Sequence, residues 1–136
     1  MSARSFIDTN VLVYADDASA GAKRTRALEI LAELVAASEA VVSTQVLQEY
    51  FVVATRKLGV PAEVARRKVE VLSRLDVVIV RPELVIAAID LHRLHSISFW
   101  DALIVRAAAA ASCTRVLSDM RHDQIIDGVR VENPFR

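Results

Sequence analysis

The chain has 136 residues, of which 54% are hydrophobic and only three each are glycine and proline. This composition excludes a disordered chain and favours one helix-rich domain over residues 1–136 with one hydrophobic core. Basic and acidic residues balance at 17 each, so the net charge gives no bulk attraction to nucleic acid or membrane. The single cysteine, Cys113, excludes an internal disulfide and a cysteine-based zinc site.

Two features of the sequence argue against export and membrane insertion. Asp8 interrupts the only apolar run near the N-terminus, so we expect no signal peptide. The longest apolar stretch, residues 102–113, contains Arg106 and is too short to span a bilayer. We therefore expect a chain that resides in the cytoplasm and makes no contact with a membrane.

The predicted elements alternate along the chain between short aliphatic strands and longer helical segments. We expect strands at residues 5–8, 40–43, 77–80, 115–118 and 129–131, the last after the turn signal Asp127-Gly128. We expect helices at residues 22–37, 44–58, 61–75 and 82–95, and a further helix from residue 98. Because the strands lack polar–apolar alternation, they predict an α/β sandwich with a parallel sheet buried on both faces.

Four carboxylates follow or adjoin the carboxyl ends of these strands, where ligands bind in open parallel sheets. They are Asp8 at the end of the first strand, Glu49 in the helix after the second, Asp101 in the first turn of the helix from residue 98, and Asp119 after the fourth strand. We expect all four to lie at the same end of the sheet.

Each of these carboxylates also has an ordinary structural explanation. Asp8 could cap a short helix after it, and Asp119 could cap a turn. Ser98 and Asp101 have the spacing of a capping box. Glu49 is harder to explain in this way, because it lies in a mostly apolar stretch where a bare buried carboxylate would be strongly destabilising.

A divalent cation would remove both the burial cost of these carboxylates and their mutual repulsion. Oxygen ligands without histidine or cysteine suit Mg²⁺ or Mn²⁺. The reaction that best suits such a site is phosphodiester hydrolysis, in which metal-activated water attacks a phosphate held by one or two ions.

Three segments resemble the core motifs of PIN-domain nucleases, and in particular the VapC-type ribonuclease toxins of bacterial toxin–antitoxin pairs. They are FIDTNVLVYA at residues 6–15, STQVLQEY at residues 43–50 and SFWDALIVRAA at residues 98–108. They occur in the family's order and at its usual separations over nearly the whole chain. The resemblance implies a three-layer α/β/α sandwich with a small, mainly parallel sheet.

The resemblance also implies a function and a set of site residues. Asp8, Glu49 and Asp101 correspond to the family's carboxylates that bind Mg²⁺ or Mn²⁺ for the cleavage of single-stranded or looped RNA. Asn10 and Thr44 match motif positions that support the site by hydrogen bonds. The expected partners are an RNA substrate, a cognate antitoxin protein that covers the acidic site, and a second copy of the chain in a homodimer.

The fourth acidic motif departs from the family pattern. Relatives tend to have Thr or Ser after the fourth strand and an acid two positions later, whereas here Asp119 follows Ser118 directly and Met120 comes next. Asp119 remains the fourth predicted catalytic and metal-binding residue, and Asp123 is a possible substitute for it.

Two alternative functions are open at this point. An aspartyl-phosphate phosphatase would need a second Asp two positions after Asp8, where this chain has Asn10. A catalytically impaired PIN-like module that binds RNA or protein would fit the irregular fourth motif. The intact Asp8, Glu49 and Asp101 argue against such a module.

Two other features suggest binding but have simpler interpretations. His92 and His95 share a helix face, and we expect a surface or subunit-contact role because no further metal ligands lie near them in the sequence. Trp100, beside Asp101, could stack on a base. Its apolar neighbours instead predict that it is buried in the core.

Overall fold

The computed structural model describes residues 3–119 and 124–136. The helices in these ranges are α1 Thr9–Asp16, α2 Ala22–Ala36, α3 Thr44–Arg56, α4 Ala62–Leu72, α5 Pro82–His95 and α6 Phe99–Ala110. The strands are β1 Ser5–Ile7, β2 Ala40–Ser43, β3 Asp76–Val78, β4 Arg115–Leu117, β5 Gln124–Ile126 and β6 Val129–Glu132.

The strands of the described residues form one sheet in the order β3-β2-β1-β4-β6-β5. All neighbouring pairs are parallel except β5 and β6, which are antiparallel. Helix α1 packs against α2 and α3, and α3 also packs against α4. Helix α5 packs on α6, which contacts β2, β4 and β6. The predicted three-layer α/β/α sandwich with a mainly parallel sheet is confirmed.

Strand β1 lies at the centre of the sheet, and its three residues are buried because helices cover both of its faces. The chain proceeds from β1 to β2 and β3 on one side, and then crosses to β4 on the other side. Such a reversal opens a crevice beyond the carboxyl ends of the two central strands. Here that crevice lies between the end of β1, at Ile7, and the end of β4, at Leu117.

The third strand differs from its prediction. The aliphatic run at residues 77–80 predicts a buried strand, but β3 covers Asp76–Val78 and is exposed at Asp76. Its partner β2 ends at Ser43, which pairs with Val78, because α3 begins at the next residue. Beyond Val78 the chain therefore has no strand beside it, and Val80 donates its backbone N–H to the Thr44 hydroxyl instead.

The C-terminal strands form a hairpin that the sequence predicts only in part. Asp127 and Gly128 have φ angles of 54° and 79°, as a two-residue turn of this kind requires, so the predicted turn is confirmed. Strand β5, which has three residues and pairs with β6 across this turn, is absent from the predicted elements. Cys113 is buried. None of the helices in the described ranges is long and apolar enough to cross a membrane.

Candidate functional site

Asp8 lies directly after β1, and its side chain has two structural partners at the start of α1 and one beyond β4. Its Oδ1 accepts a hydrogen bond from the Thr9 backbone at 2.7 Å, which caps α1. Its Oδ2 accepts from the Ser118 hydroxyl at 2.7 Å and from the Asn10 amide at 3.2 Å. The capping explanation of Asp8 is therefore correct, but it accounts for only one of the two oxygens.

Asn10 holds the ends of β1 and β4 together from the first turn of α1. Its Nδ2 also lies 3.1 Å from the Ser118 hydroxyl oxygen, and its Oδ1 accepts from the Asp119 backbone N–H at 3.2 Å. These bonds fix the chain after β4 relative to Asp8. The supporting role expected for Asn10 is consistent with this geometry. The Thr44 hydroxyl, in contrast, accepts a hydrogen bond from the Val80 backbone N–H, in the segment after β3.

Glu49 reaches the same region from the second turn of α3. It is half-buried rather than fully buried, and its Oε1 accepts a hydrogen bond from the Thr9 hydroxyl at 2.9 Å. The apolar neighbours Phe51 and Val52, which suggested a deeply buried site, are themselves exposed. Glu49 therefore faces the cleft between α1 and α3 with one oxygen already bonded.

Asp101 lies in the first turn of α6, where its backbone N–H donates to the Ser98 hydroxyl at 3.0 Å. The predicted cap at Ser98 is confirmed. The cap fixes the first turn of the helix and so fixes where the Asp101 carboxylate leaves the backbone. Asp101 is half-buried and lines the same cleft as Asp8.

Asp119 is held by the side chain of Tyr14 on α1. The Tyr14 hydroxyl donates to Asp119 Oδ2 at 2.6 Å, and this bond, together with burial, raises the pKa of Tyr14 to about 12. Tyr14 therefore remains a neutral donor at physiological pH. One oxygen of the Asp119 carboxylate is thus bonded to a distant side chain. The turn that Asp119 could cap lies outside the described residues.

Asp8 is the carboxylate whose ionisation the surroundings oppose. Burial raises the pKa of Asp8 to about 6, while hydrogen bonds from Ser118 and the Thr9 backbone act in the opposite direction. The negative charges of Glu49 and Asp101 raise this pKa further. Near neutral pH, Asp8 is therefore a mostly ionised, buried carboxylate, and a positive charge beside it would stabilise its ionised form.

All four predicted carboxylates line one cleft of about 620 Å³. Its floor is formed by the ends of β1 and β4, and its walls come from α1, α3 and α6. Lys57 is the only basic residue among the described residues that line this cleft. The arrangement concentrates negative charge at the switch point of the sheet, as the sequence predicts.

The carboxylates do not form a finished metal cage. No group of three or more His, Cys, Asp or Glu within residues 3–119 and 124–136 is arranged so that it could hold an ion. The donor chemistry nevertheless fits Mg²⁺ or Mn²⁺, since the cleft offers carboxylate oxygens and no sulfur or imidazole. A divalent cation there would also offset the cost of ionising Asp8 beside Glu49 and Asp101.

Sequence reasoning missed Gln45, in the first turn of α3. Gln45 lines the cleft and is only 6% exposed, and its side-chain oxygen has no hydrogen-bond partner among the described residues. Such an unpaired buried oxygen is unusual in a folded protein. The only feature of the sequence that could have indicated Gln45 is that a glutamine lies at the start of an otherwise apolar helix face.

The prediction that Trp100 is buried is wrong. Trp100 is 61% exposed and lines the cleft beside Asp101. Leu103 and Ile104 on the next turn of α6 are buried, but they do not cover the Trp100 ring. His92 and His95 are exposed, as expected for a surface role. Asp123, the possible substitute for Asp119, lies outside the described residues.

A model of the PIN domain matches residues 5–127, which is most of the chain. The chain belongs to the PIN domain family. A comparison with curated protein sequences gives no match.

Several solved structures share the fold at low sequence identity. A toxin–antitoxin complex from Klebsiella pneumoniae is 19% identical, with a TM-score of 0.72 and 98% of each chain covered. VapC20 of Mycobacterium tuberculosis, a sarcin-ricin loop cleaving toxin, is 22% identical, with a TM-score of 0.66, covering 82% of this chain and 86% of that one. VapBC2 of Rickettsia felis, bound to a DNA fragment from its promoter, is 20% identical, with a TM-score of 0.62, covering 95% and 97%. At these identities the likeness shows the fold.

Proposed function

We propose that this chain is a metal-dependent endoribonuclease that hydrolyses phosphodiester bonds of RNA. The observation that carries the proposal is the convergence of Asp8, Glu49, Asp101 and Asp119 on one cleft at the switch point of the sheet. Asp8 is the key member, because its surroundings raise its pKa to about 6 and so favour a cation beside it. Membership of the PIN domain family supports the same chemistry.

Each carboxylate has a distinct role in this proposal. Asp8 and Asp101 would hold the divalent ion, and Asp119 would complete the ligand set or hold a second ion. When bound, Mg²⁺ or Mn²⁺ supplies a water of lowered pKa and positive charge beside the scissile phosphate. Glu49 would orient a water in the cleft or accept its proton as a general base.

The residues around the carboxylates act by positioning them. Thr9 donates to one oxygen of Glu49, which leaves the other oxygen to face the cleft. Asn10 and Ser118 hold Asp8 and the backbone of Asp119. The rigid ends of β1 and β4 thus limit how far the two aspartates can move apart.

We further propose that the chain is the toxin of a toxin–antitoxin pair, acts in the cytoplasm and forms a homodimer. The structures that share its fold include a toxin–antitoxin complex from Klebsiella pneumoniae and the RNA-cleaving toxin VapC20. An antitoxin with a basic side chain would find a complementary receptor in a cleft lined by carboxylates. In this proposal, residues 1–136 form a single PIN-like domain.

RNA cleavage by purified variants tests the proposed function. In the presence of Mn²⁺, the unmodified chain should cut RNA. Asp8→Asn, Asp101→Asn and Glu49→Gln should each lose about a hundredfold or more of the rate, as expected for metal ligands and a general base. Asp90→Asn removes an exposed carboxylate on α5, away from the cleft, and should keep the rate. Equal rates in all variants would contradict the proposal.

One observation favours a second candidate, a PIN-like module that binds RNA or protein without cutting it. Asp119 already bonds Tyr14, and no ready-made metal group exists among the described residues. This candidate predicts RNA or protein binding without any cleavage in Mn²⁺, and the same assay, combined with a binding measurement, separates the two.

A further inference from the structure

The proposed nuclease cleft has few positive charges with which to hold RNA. Four carboxylates line it, and Lys57 is its single basic side chain among the described residues. Phosphate groups would therefore be repelled wherever no divalent ion lies between them and the carboxylates. The cleft needs a source of attraction that does not depend on phosphate charge.

Trp100 offers such a source. Its ring is 61% exposed, although a tryptophan normally buries most of its large apolar surface. It lies in the first turn of α6, next to Asp101, and lines the cleft together with Val52 and Ile104. The exposed ring therefore faces the same space as the carboxylates.

The ring of Trp100 is also supported from behind. The Phe99 ring packs against it edge to face, with centroids 5.0 Å apart and planes at 72°. Phe99 is half-buried and packs on the hydrophobic core. Aromatic rings that are anchored on one side and open on the other are the platforms on which unpaired bases stack.

We propose that Trp100 is a substrate-binding residue that stacks on an unpaired base of the RNA next to the scissile phosphate. This inference rests on the proposed nuclease function. It deepens that function by assigning a position in the cleft at which an unstacked base is recognised. Stacking does not distinguish strongly between bases, so Trp100 would favour unpaired over paired RNA rather than one sequence over another.

The experiment uses the fact that Trp100 is the only tryptophan of the chain. A Glu49→Gln chain in Mn²⁺ is titrated with an RNA hairpin that has an unpaired loop, and tryptophan fluorescence is followed. The matched control is the same hairpin with abasic sites in its loop. The loop should quench the fluorescence to saturation, and the abasic loop should leave it almost unchanged.

Affinity gives the second measurement. Trp100→Leu in the Glu49→Gln background should raise the Kd for the looped hairpin about five- to 150-fold, which is the usual effect of one lost base stack. Trp100→Phe should have an intermediate effect. The control variant is Leu94→Ala, an apolar residue on α5 that is 78% exposed and does not line the cleft. Because Trp100 is largely exposed, its replacement should leave the melting temperature unchanged.

The outcomes separate this inference from the function on which it rests. If RNA binds with the same Kd to Trp100→Leu and does not quench Trp100, the stacking role is wrong and the nuclease proposal stands. If the fluorescence changes with the concentration of the chain alone and RNA has no effect, a second copy covers the ring and the stacking role is also wrong. If the unmodified chain neither binds nor cuts RNA, the proposed function fails and the stacking role fails with it.

Discussion

Asp8 combines a structural and a proposed functional role in one side chain. It caps α1 through Oδ1, while burial and the charges of Glu49 and Asp101 oppose its ionisation. A carboxyl whose pKa is higher in the folded than in the unfolded state lowers stability as the pH rises between the two values. For Asp8 these values are about 6 in the fold and about 3.9 in the unfolded chain.

Replacing Asp8 by Asn should therefore change stability in a pH-dependent way. Without metal, the free energy of unfolding of Asp8→Asn, relative to the unmodified chain, should rise by about 1–2 kcal/mol between pH 5 and pH 8. The loss of hydrogen bonds is common to both pH values and cancels in this comparison. Urea denaturation with a chelator present measures the free energy of unfolding of both chains at each pH. If the stability of Asp8→Asn relative to the unmodified chain fell toward pH 8, the raised pKa of Asp8 would be contradicted.

Gln45 differs from Asp8 in that no structural role is evident for its side-chain oxygen. Its buried side-chain oxygen lacks a partner among the described residues, which is destabilising. Gln45→Met keeps the size of the side chain and removes that oxygen. We expect the free energy of unfolding to stay unchanged or to rise by about 1 kcal/mol.

Thermal and urea denaturation measure the effect of this substitution. Gln48→Met is the matched control, since Gln48 lies on the same helix and lines the same cleft but is exposed. A clear loss of stability in Gln45→Met alone would mean that the amide has a structural partner and would remove the anomaly.

At the scale of secondary-structure elements, the cleft depends on contacts between the start of α1 and the segment after β4. The Tyr14 hydroxyl on α1 bonds Asp119, and Asn10 on the same helix bonds the Asp119 backbone. These contacts hold Asp119 beside the cleft, although no residue separates it from Ser118.

A double-mutant cycle measures the contact between Tyr14 and Asp119. Tyr14→Phe, Asp119→Ala and the double variant are compared by urea denaturation. A side-chain hydrogen bond to a carboxylate oxygen at 2.6 Å should give a coupling free energy of about 1–2 kcal/mol. Additive effects of the two substitutions would show that the contact does not stabilise the chain in solution.

The elements that the sequence predicts well are those with a local physical cause. Ser98 caps α6 and Pro82 begins α5, so these helices start where expected. The limits of β3 depend instead on where its neighbour β2 ends, and β5 depends on pairing with β6. The end of β2 is not visible in the sequence around β3, which explains the difference at β3. Strand β5, in contrast, directly precedes the predicted Asp127-Gly128 turn, so that turn signal could have indicated it.

The same distinction applies to the candidate site. Asp8, Glu49, Asp101 and Asp119 could be predicted because the ends of parallel strands meet at one edge of the sheet. The exposure of Trp100 and the unpaired oxygen of Gln45 could not be predicted, since both depend on how α3 and α6 face each other across the cleft. The apolar residues around Trp100 in the sequence predict burial, whereas its ring is exposed.

At the scale of the whole molecule, the local charge of the cleft should affect RNA binding more than the net charge does. The chain is neutral overall, yet its cleft gathers four carboxylates and a single lysine among the described residues. Such a cleft repels a nucleic acid unless a divalent cation is present. Binding and cleavage of RNA should therefore both depend on the metal, whereas folding should not.

The most direct test is the metal dependence of RNA cleavage by chain that has been stripped with a chelator. We predict no cutting without added ion, and a cleavage rate that rises with Mn²⁺ to saturation. Asp8→Asn should stay inactive over the same range of Mn²⁺, while Asp90→Asn should follow the unmodified chain. Cleavage at the full rate in the presence of chelator would contradict the account, because the carboxylates of the cleft would then act without the cation that their arrangement requires.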